Sequence, residues 1–176
     1  MSDELKLIEP TAALEESYRS YVAEARAADE LLVPWVLGFD ADDFPALLAR
    51  LSDASDGKGL CENLVPHTTY WTVDAAGDEI IGVANLRHRL NDFLLREGGH
   101  IGYSIRPSFR GRGLATRQLA LALETARRRG LRRVLVVCEC DNAASGRVIQ
   151  KNGGRMADEV TSEETGKLMR RYWIEL

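Results

Sequence analysis

Ile105-Arg106-Pro107-Ser108-Phe109-Arg110-Gly111-Arg112-Gly113-Leu114-Ala115-Thr116 joins two unlike periodicities. Before it, Gly99 to Ile105 alternates as a strand does; after it, the apolar spacing is helical from about Leu114 to Arg129, with Gly130 as the stop. A strand-to-helix junction leaves backbone N–H groups unpaired at the positive end of the helix dipole, and glycines let a phosphate approach them closely. Arg110 and Arg112 add positive charge. The junction lacks the Gly-Lys-Ser/Thr ending of a P-loop, and it lacks the third glycine and downstream acid of a dinucleotide fingerprint. The residues alone leave two readings open. One is a phosphate-binding loop of another scheme; the other is a glycine-assisted turn with solvated arginines.

Working outward, Arg133 to Glu139 is a near-continuous apolar strand, as expected where both faces are buried. A short helix from about Ala143 to Lys151 follows, stopped by Asn152-Gly153-Gly154, and Lys167 to Leu176 closes the chain as a strand. Upstream, Thr68 to Val73 and Ile80 to Arg89 form a hairpin around Ala76-Gly77-Asp78, and Leu90 to Glu97 connects it to the next strand. The first third reads as a short strand from Glu4 to Glu9, then a helix from Thr11 to Ala28, interrupted at Pro34 to Asp40. A second helix spans Phe44 to Leu51, and Asp53 to Pro66 is a loop. This acidic third is expected to make a lid and one wall. The order predicts an α/β fold, a mixed sheet with helices on both faces.

The 176 residues, 45% of them hydrophobic, suit one domain spanning 1–176. The net charge of −4 averages two unlike parts. Up to Leu86 there are 17 acids and 5 bases, and beyond it 10 acids and 18 bases. A basic part in an acidic chain points to an anionic ligand held by one side of the fold. The start lacks the positive charge of a secretory signal and no run is long enough to span a membrane, so a cytoplasmic protein with no membrane partner is expected. Cys61, Cys138 and Cys140 are too few for a disulfide framework, and His67, His88 and His100 make no metal-binding spacing with them. The cluster Arg127-Arg128-Arg129 with Arg132-Arg133 has no interleaved aromatics and sits at a helix end, where cations favour the dipole. A solvated helix end is favoured over a nucleic-acid surface.

Arg110-x-x-Gly113-x-Ala115 after a strand resembles the pyrophosphate loop of the GNAT N-acetyltransferase superfamily. The downstream run Asn142-Ala143-Ala144-Ser145-Gly146-Arg147-Val148-Ile149-Gln150-Lys151-Asn152-Gly153-Gly154 resembles the asparagine-headed helix of that family. The likeness covers Thr68 to Leu176, and Val65-Pro66-His67-Thr68-Thr69-Tyr70 with Gly98-Gly99-His100-Ile101-Gly102-Tyr103 resembles an uncharacterised bacterial branch. The resemblance implies a mostly antiparallel, twisted mixed sheet whose central strands splay apart. Acetyl-CoA would lie in that cleft, between the strands ending near Ile105 and Glu139. The backbone of Tyr103, Ser104 and Ile105 would pair with the pantetheine arm. Arg110 and the segment Gly111, Arg112, Gly113, Leu114, Ala115 and Thr116 would cradle the pyrophosphate, and Asn142 would be a polar contact as well as a helix N-cap. No metal is implied.

Two departures bear on mechanism. The tyrosine that protonates the leaving thiolate in the family falls at Ile149, and the glutamate that serves as base falls at Val137. A thiol near pKa ~8.5 leaves without obligatory protonation, whereas an ammonium near ~10.4 must lose its proton, so a base is the group to seek. Glu139 shares the side of Val137 on a regular strand and is the first candidate; a solvated strand-end acid is its other reading. His100 has a suitable unperturbed pKa, or is a structural histidine in a Gly-rich hairpin. Tyr103 would replace the missing acid, or is core; Ser145 and Tyr172 are weaker candidates.

Together these readings predict transfer of an acetyl group from acetyl-CoA to a primary amine by direct attack. The acceptor is a small-molecule or protein amine, and the acidic wall favours a cation. A non-catalytic acyl-CoA sensor and a nucleotide-phosphate binder are the other classes. The strand around Tyr172-Trp173-Ile174 is expected at a sheet edge, where it would pair with a second copy to give a homodimer.

Overall fold

The computed structural model describes residues 5–29 and 31–176; Glu4, the expected start of the first strand, lies outside them. Strand β1 (Lys6–Ile8) precedes helices α1 (Glu15–Ala27) and α2 (Phe44–Ser55). Strands β2 (His67–Val73), β3 (Ile80–Arg87) and β4 (Ile101–Ile105) follow, then α3 (Leu114–Arg128), β5 (Arg133–Glu139), α4 (Ala143–Lys151), β6 (Arg155–Thr161) and β7 (Leu168–Glu175). The strands make two sheets, β1-β2-β3-β4 and β5-β7-β6, whose neighbours are all antiparallel.

Every residue of β2 and β3 is buried, because helices cover both faces. Trp71, Val73 and Val83 pack with Tyr18 and Tyr21 of α1 and with Phe44, Leu47 and Leu51 of α2. Tyr70, Ala84 and Leu86 point the other way, into a cluster with Leu119, Ala122 and Ala126 of α3 and Ile149 of α4. The period-2 alternation of the strands thus sorts the two cores. Helices α2 and α4 start where a side chain accepts an early N–H group: Asp43 accepts from Ala46, and Asn142 from Ser145 at 3.0 Å.

β4 and β5 belong to different sheets and meet at one place. The His100 N–H donates to Leu135 O at 2.7 Å, and the Leu135 N–H donates to His100 Nδ1 at 2.9 Å. Gly99 enters this junction with φ 64°, and a Cβ there would lie 2.6 Å from Leu135 O, so only glycine permits the approach. No ladder joins the two strands among the described residues, and the sheet is split at its centre.

Two expectations are corrected. The strand carrying Tyr172-Trp173-Ile174 is not at an edge; β7 lies between β5 and β6 and pairs along its length with both. The edge is β6, which the sequence reading missed. Its residues Arg155-Met156-Ala157-Asp158-Glu159-Val160-Thr161 are almost all exposed and carry little apolar alternation, while Asp158 and Glu159 pair with Arg171 and Arg170 across the ladder.

Candidate active site

The open edge of β4 is the frame of the site. Arg106 N–H donates to Ile81 O, and the register pairs Ser104 with Val83 and Gly102 with Asn85. Antiparallel alternation therefore turns the backbone of Ser104 and Gly102 toward β3 and that of Tyr103 and Ile105 toward the split. Among the predicted trio, Tyr103 and Ile105 thus present N–H and C=O groups to a ligand strand, although Ile105 O already accepts from Arg110 Nε at 3.0 Å. Ser104 turns its side chain to the opposite wall, where Oγ lies 2.6 Å from the Tyr21 hydroxyl of α1.

Beyond Ile105 the chain makes a 3-10 turn, Pro107–Phe109, and reaches α3 through Gly111 at φ 77° and Gly113 at φ 75°. Both left-handed positions suit glycine, and a Cβ on either would project into open space. Among the described residues no acceptor in the chain meets the backbone N–H groups of Gly111, Arg112, Gly113, Leu114 or Ala115. Thr116 and Arg117 already donate to Gly113 O. Arg112 lies over the Phe109 ring, 5.3 Å from its centroid, and donates to Ser108 O. Five adjacent donors at the positive end of a helix of 15 residues make an anion cradle that fits a pyrophosphate. Asn152 Nδ2, at the end of α4, bonds Thr116 O and fixes α3 against α4.

The loop is anchored from the acidic third of the chain. Arg106 binds Glu24 of α1, Glu79 and Ser20, and Glu24 also accepts from Ser108. Burial opposes ionisation of Glu24, but its bonds from Arg106 and Ser108 prevail and hold its pKa below the usual value.

Across the split, Tyr103 reaches α4: its hydroxyl lies 3.0 Å from Ser145 Oγ, one turn before Ile149. Burial pushes the Tyr103 phenol up to about 12, partly offset by the Ser145 bond. Burial also raises the Cys138 thiol, which shares Ser145 as a hydrogen-bond partner. Ile149 is fully buried and offers no proton. Tyr103 and Ser145 thus place two hydroxyls across the split, one turn of α4 before Ile149.

The other candidates separate. His100 is 6% exposed, its Nδ1 is occupied by the Leu135 N–H, and burial, then Arg87 and Arg133, lower its pKa to about 4. Its lone pair is committed to the junction. Glu139 stands at the end of β5 with both carboxylate oxygens on Lys167 Nζ, at 2.9 and 2.8 Å, and its side chain is partly exposed. Asn142 spends Oδ1 as the α4 cap, and Tyr172 is buried beside Gly146.

A sequence model of the acetyltransferase (GNAT) domain matches residues 8–155. The chain belongs to the GNAT acetyltransferase family. No curated protein sequence matches it significantly. Among solved structures, the acetyltransferase from Salmonella typhimurium that modifies the N-terminal serine of ribosomal protein L7/L12 is 18% identical, with a TM-score of 0.72 over 99% of this chain and 96% of that one. The microcin C7 self-immunity acetyltransferase MccE, in complex with acetyl-CoA and AMP, is 15% identical with a TM-score of 0.72 over 99% and 94%. The ribosomal-protein-S5-alanine acetyltransferase of Vibrio fischeri is 17% identical with a TM-score of 0.72 over 97% and 91%. These likenesses are of fold. The GNAT frame accounts for the split sheet and the glycine loop, but not for Glu24, which sequence reasoning missed. Its contacts lie more than 80 residues away in the chain, and only its place on the core-facing helix hinted at a role.

Proposed function

We propose that the protein transfers an acetyl group from acetyl-CoA to a primary amine. The observation that carries this reading is the row of unpaired N–H groups from Gly111 to Ala115, which follows the open backbone edge at Tyr103 and Ile105 in the chain. The loop would hold the pyrophosphate, with Arg110 and Arg112 beside it, and the strand edge would hold the pantetheine amides. Acetyl-CoA supplies an acyl group activated as a thioester. The unpaired Tyr103 N–H is the donor available to a developing oxyanion. Tyr103 keeps its proton at neutral pH and, with Ser145, can hydrogen-bond a departing thiolate; burial makes it a donor and not a base. Glu139 retains a solvent-reachable carboxylate and is assigned to take the amine's proton, whereas the committed Nδ1 of His100 assigns that residue to holding the junction.

A thermal-shift titration with acetyl-CoA tests the reading, with thiol release measured over a panel of amines. Binding abolished in Gly113→Glu, which puts a carboxylate into the cradle, is the expected result. Equal protection of wild type and variant, or none of either, would refute the cofactor assignment. Binding without turnover on any amine would turn the reading into that of an acyl-CoA sensor.

A further inference from the structure

On the face of the sheet that looks toward α1 and α2, the adjoining ends of β2 and β3 carry polar side chains where core residues would be expected. His67 and Arg87 are direct cross-strand partners, and Asn85 and Thr69 form the next pair. His67 is 2% exposed, Asn85 0% and Arg87 9%. Pro34 and Trp35 cover them: the Trp35 ring packs edge-on against His67 at 5.4 Å.

The donors and acceptors of this cluster do not balance. Asn85 Nδ2 donates to His67 Nδ1 at 2.9 Å and to Thr69 Oγ1 at 3.0 Å. With the Asn85 amide donating to Nδ1, neutral His67 would carry its proton on Nε2, and that atom is buried without a partner. Beside it, the Arg87 guanidinium donates from Nη1 to Gly98 O at 3.1 Å, and among the described residues no carboxylate lies within 4 Å of it. Burial lowers its pKa to about 10, so it remains a cation at neutral pH. A buried guanidinium without an anion, next to a buried donor without an acceptor, is costly unless a ligand completes it. Asn85 Oδ1, an acceptor in the same cluster, is also buried without a partner among the described residues.

The position of the cluster ties it to the reaction. Gly102 of β4 lies against the guanidinium: a Cβ there would be 3.3 Å from both Nη1 and Nη2. Arg87 therefore sits directly over the β4 backbone, one residue from Tyr103, whose N–H faces the split. An anion held by Arg87 lies beside the stretch of β4 along which the thioester would run.

We propose that Arg87 and the His67 Nε2–H bind the carboxylate of the acceptor, so that the acceptors are free amino acids or similar small amino-carboxylates. This rests on the acetyl-transfer reading and names its substrate class. A zwitterion also reconciles the acidic wall with a buried basic cluster: the amine meets the former and the carboxylate the latter. The planar guanidinium suits a carboxylate's two oxygens, and the imidazole adds a third donor.

Thiol release from acetyl-CoA is measured with a pool of free amino acids and with the same pool as carboxamides. The amide's amine is the weaker base and more of it is neutral near pH 8, so chemistry alone favours the amide. An acid preference of about tenfold or more in kcat/KM is expected, the size of a charged hydrogen bond. Equal rates, an amide preference, or no turnover of any acid overturns the assignment. Calorimetry of acetyl-CoA on the same sample separates the two readings: lost binding sinks both, and retained binding without acid preference sinks only this one. In Arg87→Gln the acid preference should fall below about threefold with acetyl-CoA affinity unchanged. Should that variant fail to fold, His67→Phe carries the test, with an expected rise of about five- to tenfold in KM for the acid and none for the amide. An unchanged preference in a folded variant overturns the proposal.

Discussion

Glu24 of α1 accepts the backbone N–H of Ser108 through Oε1 at 2.5 Å. The contact couples the acidic first third to the entrance of the glycine loop, and the other carboxylate oxygen takes Arg106. Glu24→Ala should leave the reacting groups in place and loosen the cradle. The expected outcome is a rise of about tenfold in KM for acetyl-CoA, with kcat within about twofold, because the carboxylate that positions Ser108 and Arg106 is lost while the loop's own N–H groups remain. Steady-state thiol release checks it.

Tyr103→Phe removes the hydroxyl nearest the split, and Ser145→Ala removes its partner. Because a thiolate of ordinary pKa leaves without much help, each change should lower kcat by about tenfold and not abolish it. Acetyl-CoA affinity should stay within about twofold. A kcat unchanged in the double variant would remove both residues from the chemistry.

Gly99→Ala should be among the most damaging single methyl additions in the chain. The new Cβ would meet Leu135 O at 2.6 Å, at a backbone conformation with φ 64°. Relieving both would force the two sheets apart at their junction, at a cost of roughly 2–4 kcal/mol, or about 4–15 °C in Tm. Urea unfolding measures it directly.

His67 and His100 are buried neutral, each with a pKa lowered to about 4, chiefly by burial and next by Arg87. In the unfolded chain both titrate near ~6.5. Between those values the unfolded state binds more protons, so stability rises with pH in this window and is lost as pH falls from ~6.5 toward 4. Each histidine contributes a slope of at most about 1.4 kcal/mol per pH unit. Thermal melts from pH 7 to 4 should show the fall, and His100→Gln should flatten it.

Much of the frame was legible because its signals are local. The boundaries of α4 follow from Asn142 as a cap and the Asn152-Gly153-Gly154 stop, and α3 from Gly113 and Gly130. The strand β6 was not legible, since an exposed edge needs no apolar alternation, and its loss misplaced β7 at the edge. Of the site, the glycine loop was readable because helix starts and left-handed turns demand particular residues. The roles of His100 and Glu24 depend on partners 35 and more than 80 residues away in sequence, Leu135 and Ser108. Residue type alone made His100 a candidate base; the Leu135 N–H on its Nδ1 is a fact of tertiary structure.

The single junction between the sheets has a thermodynamic consequence. The two halves on either side of the split share the core around Leu119 and Val134, and the core around Trp71 belongs to the first sheet and its helices, but between β4 and β5 the backbone continuity of an ordinary sheet is missing. A ligand laid along that gap would act as the absent strand. Its binding energy would then appear as cooperativity between the halves: amide protection should rise on both sides of the split together, in residues that never touch the ligand.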